Sequence, residues 1–161
     1  MTGEHDEARR TEIAANLEQV EGRIDRACRA AGRERAEVTL VAVTKTFPAS
    51  DVEHLAALGV RDVGENRAAD AAAKVEACRA GGLTGLVWHF VGQVQTNKAA
   101  LVASCSDVVH SVDRVRLVTA LDKGAAAAGR RLQALVQVDL SGAEGRGGAA
   151  PEEVVTIADA V

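Results

Sequence analysis

Five times along this chain a short apolar run gives way to a longer alanine-rich or charged amphipathic segment, and that alternation narrows the fold more than any other feature. The runs cover residues 38–45, 60–65, 86–92, 107–112 and 132–140. Continuous apolar runs of this length read as strands buried on both faces, and the segments between them as crossover helices, which is the pattern of a parallel sheet. Helix signals punctuate the intervals. Pro48-Ala49-Ser50-Asp51 starts one helix and Gly59 stops it; the next spans 68–80 and ends at Gly81-Gly82; others are predicted over 97–103 and 115–128. A last helix begins at Pro151-Glu152-Glu153 and is predicted to run on through Val161. Ahead of them all, Ile13, Leu17, Val20 and Ile24 recur at helical spacing and predict an amphipathic helix over 11–31 that ends at Gly32.

Successive βα units build either an open doubly wound sheet or a (β/α)8 barrel, and in both the binding groups gather at the carboxyl ends of the strands. Here those ends carry Lys45, Gly64-Glu65-Asn66, Gly92-Gln93, Ser111-Val112-Asp113 and Asp139-Leu140-Ser141. A barrel typically takes about 250 residues. The 161 residues fit one domain, and five units make either an open sheet or part of a barrel.

Composition removes several classes of function. The net charge of −4, from 19 basic and 23 acidic side chains, contains no basic block able to track a phosphate backbone, so nucleic acid is not an expected partner. The N-terminus Met1-Thr2-Gly3-Glu4-His5-Asp6-Glu7 is acidic where a signal peptide is basic and then apolar, and no run reaches membrane-spanning length. A cytoplasmic protein without a membrane partner is expected. Cys28, Cys78 and Cys105 are widely spaced and odd in number, which fits reduced, partly buried thiols rather than disulfides or a zinc site.

Among candidate chemical groups Lys45 is foremost, because it closes the apolar run Val38-Thr39-Leu40-Val41-Ala42-Val43-Thr44. A strand mouth can desolvate a lysine amine, lower its pKa and offer it to an aldehyde, although many strands simply end in a solvated lysine. The glycine-rich stretch Gly142-Ala143-Glu144-Gly145-Arg146-Gly147-Gly148 lacks the Gly-Lys-Ser/Thr ending of a P-loop and reads as a connection. His89 and His110 fall inside predicted strands without metal-ligand spacing and read as core or site-lining residues. No metal site is expected. Ser111, His89 and Asp113 could be drawn as a hydrolytic triad, but no Gly-x-Ser-x-Gly elbow supports it.

Four motifs in series are more specific than any single residue. Val41-Ala42-Val43-Thr44-Lys45, Gly64-Glu65-Asn66-Arg67, Trp88-His89-Phe90-Val91-Gly92-Gln93-Val94-Gln95-Thr96-Asn97-Lys98 and His110-Ser111-Val112-Asp113-Arg114, with Val136-Gln137-Val138-Asp139 after them, closely resemble the pyridoxal-phosphate homeostasis protein family. The resemblance implies a (β/α)8 TIM-barrel type domain related to the N-terminal domain of alanine racemase. Over residues 1–161 it would be a single incomplete barrel of an N-terminal helix and about five βα units. It implies pyridoxal 5′-phosphate (PLP) as cofactor, held as a Schiff base on Lys45, with Asn66 and His89 lining its pocket. Members of the family buffer or deliver PLP without established turnover, so no catalytic residue is assigned.

Two alternatives accompany that reading. One is a PLP-dependent amino-acid racemase, which needs acid/base groups on both faces of the cofactor; in related racemases the second is a tyrosine, and these 161 residues contain none. The other is a barrel with impaired PLP binding, because family members continue through three more strands whose loops hold the cofactor phosphate. Open sheet edges would then favour self-association.

Overall fold

The computed structural model of the chain describes residues 2–141 and 147–161. It begins with α1 (Thr2–Ala30), which starts well before the predicted Thr11. The extra turns are polar and held by charge: Arg9 pairs with Glu12 and Asp51, Arg10 with Glu7, and Asp6 with His54. Apolar periodicity does not register turns of that kind. There follow β1 (Ala42–Val43), α2 (Ala49–Ala57), β2 (Asp62–Glu65), α3 (Ala68–Ala80), β3 (Val87–Phe90), α4 (Ala99–Cys105), β4 (Val108–Val112), α5 (Val115–Ala127), β5 (Gln133–Val136) and α6 (Val154–Ala158). The last helix stops short of Val161, because the N–H of Ala160 bonds the carbonyl of Ile157 and that of Val161 the carbonyl of Ala158, tightening the final turn.

The strands form one parallel sheet in the order β1-β2-β3-β4-β5. Each crossover moves one strand onward in the same direction, so right-handed connections place every helix on the same face. A doubly wound sheet would reverse its order part-way. The architecture is therefore the barrel type, with five of its units present.

Alternation along the strands divides the sheet into two unlike faces. Towards the helices point Val63, Trp88, Phe90 and Val109, which join Val52, Val75, Cys78, Val102 and Leu117 in the buried core. Helices α4 and α5 approach so closely that a Cβ on Gly124 would lie 2.7 Å from the Cα of Ala100. The opposite face, which would line a barrel's interior, carries Asp62, Gly64, His89 and His110. Val41 and Val43 lie across Gly64 there, 3.3 and 3.2 Å from where its Cβ would be.

The first strand departs most from expectation. A run predicted over 38–45 pairs only at Ala42 and Val43. Among the described residues β1 has one neighbour, β2, so nothing on its other side extends the ladder; at the far edge β5 is in the same position. Val43 is 45% exposed and Leu135 49%, which marks both edges as open here. β5 is likewise shorter than the predicted 132–140, although a parallel bridge from Val138 to Ala149 continues its line. All three cysteines are free and buried, and burial pushes the thiols of Cys78 and Cys105 up from their ordinary value. No helix among the described residues is long and apolar enough to cross a membrane.

Candidate functional site

The carboxyl ends of β1, β2 and β3 lie level. Thr44 N–H donates to the carbonyl of Gly64 at 2.9 Å and Val91 N–H to that of Glu65 at 2.8 Å, so Lys45, Asn66 and Val91 leave the sheet side by side. Lys45 occupies a turn closed by Phe47 N–H donating to the Thr44 carbonyl at 3.1 Å. The turn is strained: Thr46 has φ 70°, a left-handed conformation that costs a β-branched residue about 1–2 kcal/mol. Phe47 is tied down from the other side, where the Arg9 guanidinium sits 5.3 Å from its ring centroid. Arg9 also donates to the buried carboxylate of Asp51 at 2.6 Å, so α1 holds the loop that follows Lys45.

The expectation of a desolvated lysine is corrected. Lys45 is exposed and has no hydrogen bond or ion pair among the described residues. The reason is its place: it follows an edge strand and stands on a face that no other described segment covers.

The strand ends are held in register by a buried group behind Lys45. The Nζ of Lys74, on α3, donates to the carbonyl of Thr44 at 2.7 Å and forms an ion pair with Glu65 Oε1. Thr44 Oγ1 donates to the same carboxylate oxygen at 2.7 Å. The side chains of Lys74 and Glu65 are 9% and 2% exposed, and Glu65 Oε2 is buried without a partner among the described residues. The residue after β1, the last residue of β2 and a side chain of α3 thus meet at one carboxylate, immediately before Lys45 and Asn66 in sequence.

Asn66 rests on Gly92. A Cβ at position 92 would collide with the Asn66 carbonyl and come within 2.8 Å of its Cα, so only glycine lets the two strand ends approach this closely. Ser111 Oγ donates to the Gly92 carbonyl at 2.5 Å. Arg114 pairs with Asp113 and donates to the Val94 carbonyl at 3.1 Å. These bonds remove the hydrolytic triad, since Ser111 and Asp113 are engaged apart from His89. Of the glycine-rich stretch, 142–146 lie outside the described residues. Gly147 accepts from Gln137 Nε2 at 2.7 Å beside Gln93, and so closes over the ends of β4 and β5.

His89 lies one strand layer below Lys45, level with Gly64. Its Nε2 is 2.8 Å from Asp62 Oδ1 and its Nδ1 is 2.8 Å from His110 Nε2, with the two rings tilted at 58°. Desolvation and the neighbouring His89 push His110 below the ordinary histidine value. Among the described residues no group of three or more His, Cys, Asp or Glu is arranged to hold a metal ion.

A sequence profile described as the alanine racemase N-terminal domain matches residues 15–161. The chain belongs to the alanine racemase N-terminal domain family. Within it, this chain is 42% identical to the pyridoxal phosphate homeostasis protein of Mycobacterium tuberculosis H37Rv, covering 87% of this chain and 59% of that protein. It is 38% identical to the protein of the same name from Escherichia coli K12, covering 93% and 64%. A crystal structure of an unknown protein from Bifidobacterium adolescentis superposes with a TM-score of 0.82 at 31% identity, over 95% of this chain and 65% of that one. PipY of Synechococcus elongatus, solved with PLP bound, superposes with a TM-score of 0.69 at 31% identity, over 86% and 65%. The chain therefore spans about three fifths of the length of these relatives.

Sequence reasoning singled out Lys45, Asn66 and His89 for this alanine racemase-like domain, and the fold brings the first two to one rim and the third beneath them. It missed Lys74 and Asp62, and it gave Thr44 and Glu65 no role beyond their place in the motifs. A lysine in an alanine-rich helix reads as solvated surface, and only its place in the fold puts Nζ on a carboxylate nine positions earlier.

Proposed function

We propose that the chain is the Lys45-bearing part of a cytoplasmic PLP-binding protein of cofactor homeostasis, which holds PLP covalently on that amine and does not turn over substrate. When bound, PLP supplies an aldehyde that a neutral amine can attack. The observation that carries the reading is the amine itself: Lys45 is exposed and, among the described residues, unengaged at the rim, while Lys74 is locked in the buried pair behind it.

The surrounding residues fit such a role. Thr44 and Glu65, tied through Lys74, fix the backbone from which Lys45 and Asn66 emerge, so the amine and the amide stay side by side. The strained turn at Thr46 and the Arg9–Asp51 pair hold the following loop. Names of relatives support homeostasis rather than an amino-acid transformation.

Labelling tests it. Purified protein is mixed with PLP, reduced with borohydride and digested, and the adduct is located by peptide mass. The label is expected on Lys45 and absent from Lys45→Ala; equal labelling of that variant would end the reading. Racemisation of L-alanine faster than free PLP achieves would favour the enzyme reading instead.

A further inference from the structure

Both ring nitrogens of His89 are used inside the protein, and this decides which histidine can meet a ligand. An ionised carboxylate only accepts hydrogen bonds, so at 2.8 Å from Asp62 Oδ1 the proton of a neutral His89 is on Nε2. Its Nδ1 is then an acceptor, and the His110 nitrogen 2.8 Å away, Nε2, must be the donor. Neutral His110 carries one proton, which leaves Nδ1 bare. That nitrogen has no protein partner among the described residues and is not among the buried unpartnered atoms. His110 stands on the same inner face as Gly64 and His89.

We infer that Asp62, His89 and His110 form a relay of fixed protons whose open end, His110 Nδ1, is the hydrogen-bond acceptor offered on this face to a hydroxyl-bearing small molecule. Asp62 and His89 are its positioning residues. A carboxylate at one end thus sets, across two rings, the chemical character of an atom two strands away. The depressed basicity of His110 agrees with a neutral ring at pH 7. The choice of PLP as the probe rests on the reading above, since its ring carries a hydroxyl; the proton arrangement does not.

The relay is tested on ligand-free protein by nitrogen-15 NMR of the imidazoles, which reports the protonated nitrogen of each ring. Wild type is expected to show Nε2–H on both His89 and His110. Asp62→Ala removes the acceptor, and both rings are expected to change to Nδ1–H together. A wild-type His89 carrying Nδ1–H, or an Asp62→Ala variant in which His110 is unchanged, would overturn the relay. His110→Gln keeps a donor where Nε2 was and removes the Nδ1 acceptor. It should leave His89 as in wild type and weaken PLP binding about tenfold, the scale of one hydrogen bond. Wild-type affinity in that variant would overturn the assignment of the open end. If wild type neither binds PLP nor labels at Lys45, the cofactor reading fails, while the NMR result still judges the relay.

Discussion

Substituting Lys74 by Met should destabilise this chain more than any surface change, because it strands a charge. Glu65 has a side chain 2% exposed, and Lys74 is the cation paired with it. Among the described residues its Oε2 already lacks a partner, so after the substitution only the Thr44 hydroxyl remains there to compensate the carboxylate. Removing one member of a buried pair typically costs about 3–5 kcal/mol, a large part of the roughly 5–15 kcal/mol that holds a domain together. At about 2–4 °C per kcal/mol for a chain of this size, Tm should fall by roughly 6–20 °C. The double variant Lys74→Met with Glu65→Leu removes both charges and should recover most of the loss, since apolar replacements of buried pairs are often neutral. Circular dichroism during urea and thermal unfolding measures all three proteins. A single variant within 1 kcal/mol of wild type, or a double variant as unstable as the single, would refute the account of Lys74 as the counter-charge of Glu65. Borohydride labelling adds a functional readout, because loss of the Thr44–Lys74–Glu65 contacts should lower the yield at Lys45.

Gly92→Ala drives a methyl group into the backbone of Asn66 and should cost about 1–3 kcal/mol, as overpacking does, with reduced PLP labelling; urea denaturation checks the first part and peptide mass the second. Stability should also depend on pH through His110. Its folded value lies below its unfolded value of about 6.5, so the unfolded chain takes up the proton first and stability, complete above that pH, falls as pH drops below it. In His110→Gln that fall from pH 7 to pH 5 should shrink; an unchanged profile assigns it to other groups. Finally, with Val43 and Leu135 half exposed on the two sheet edges, the 161-residue chain should self-associate, which sedimentation velocity would show as a concentration-dependent coefficient; a single monomer boundary at all concentrations would refute it.

The barrel type was legible because its elements are written locally. Helix α3 falls where alanine content and Gly81-Gly82 place it, and β2 and β3 lie within their apolar runs. Lys45 could be chosen because it ends a strand, and the strand ends of such folds share one rim, whereas Asn66 was chosen through the family resemblance of its motif. The length of β1 was not legible, since a strand extends only as far as a neighbour pairs with it. Nor was the contact of His89 with both Asp62 and His110, which brings together side chains from three strands.

Sequence by itself determined the alternation of strands and helices, the lysine at the first strand's end and the glycine at the third strand's end, all of which are properties of residues and their near neighbours. The tertiary structure decided the direction in which the sheet winds, the exposure of Lys45, the counter-charge of Glu65 and the chain of contacts from Asp62 through His89 to His110. Those depend on which atoms from distant segments come within hydrogen-bond reach, and buried polar groups are satisfied by whatever partner the fold delivers, not by the residue next in line.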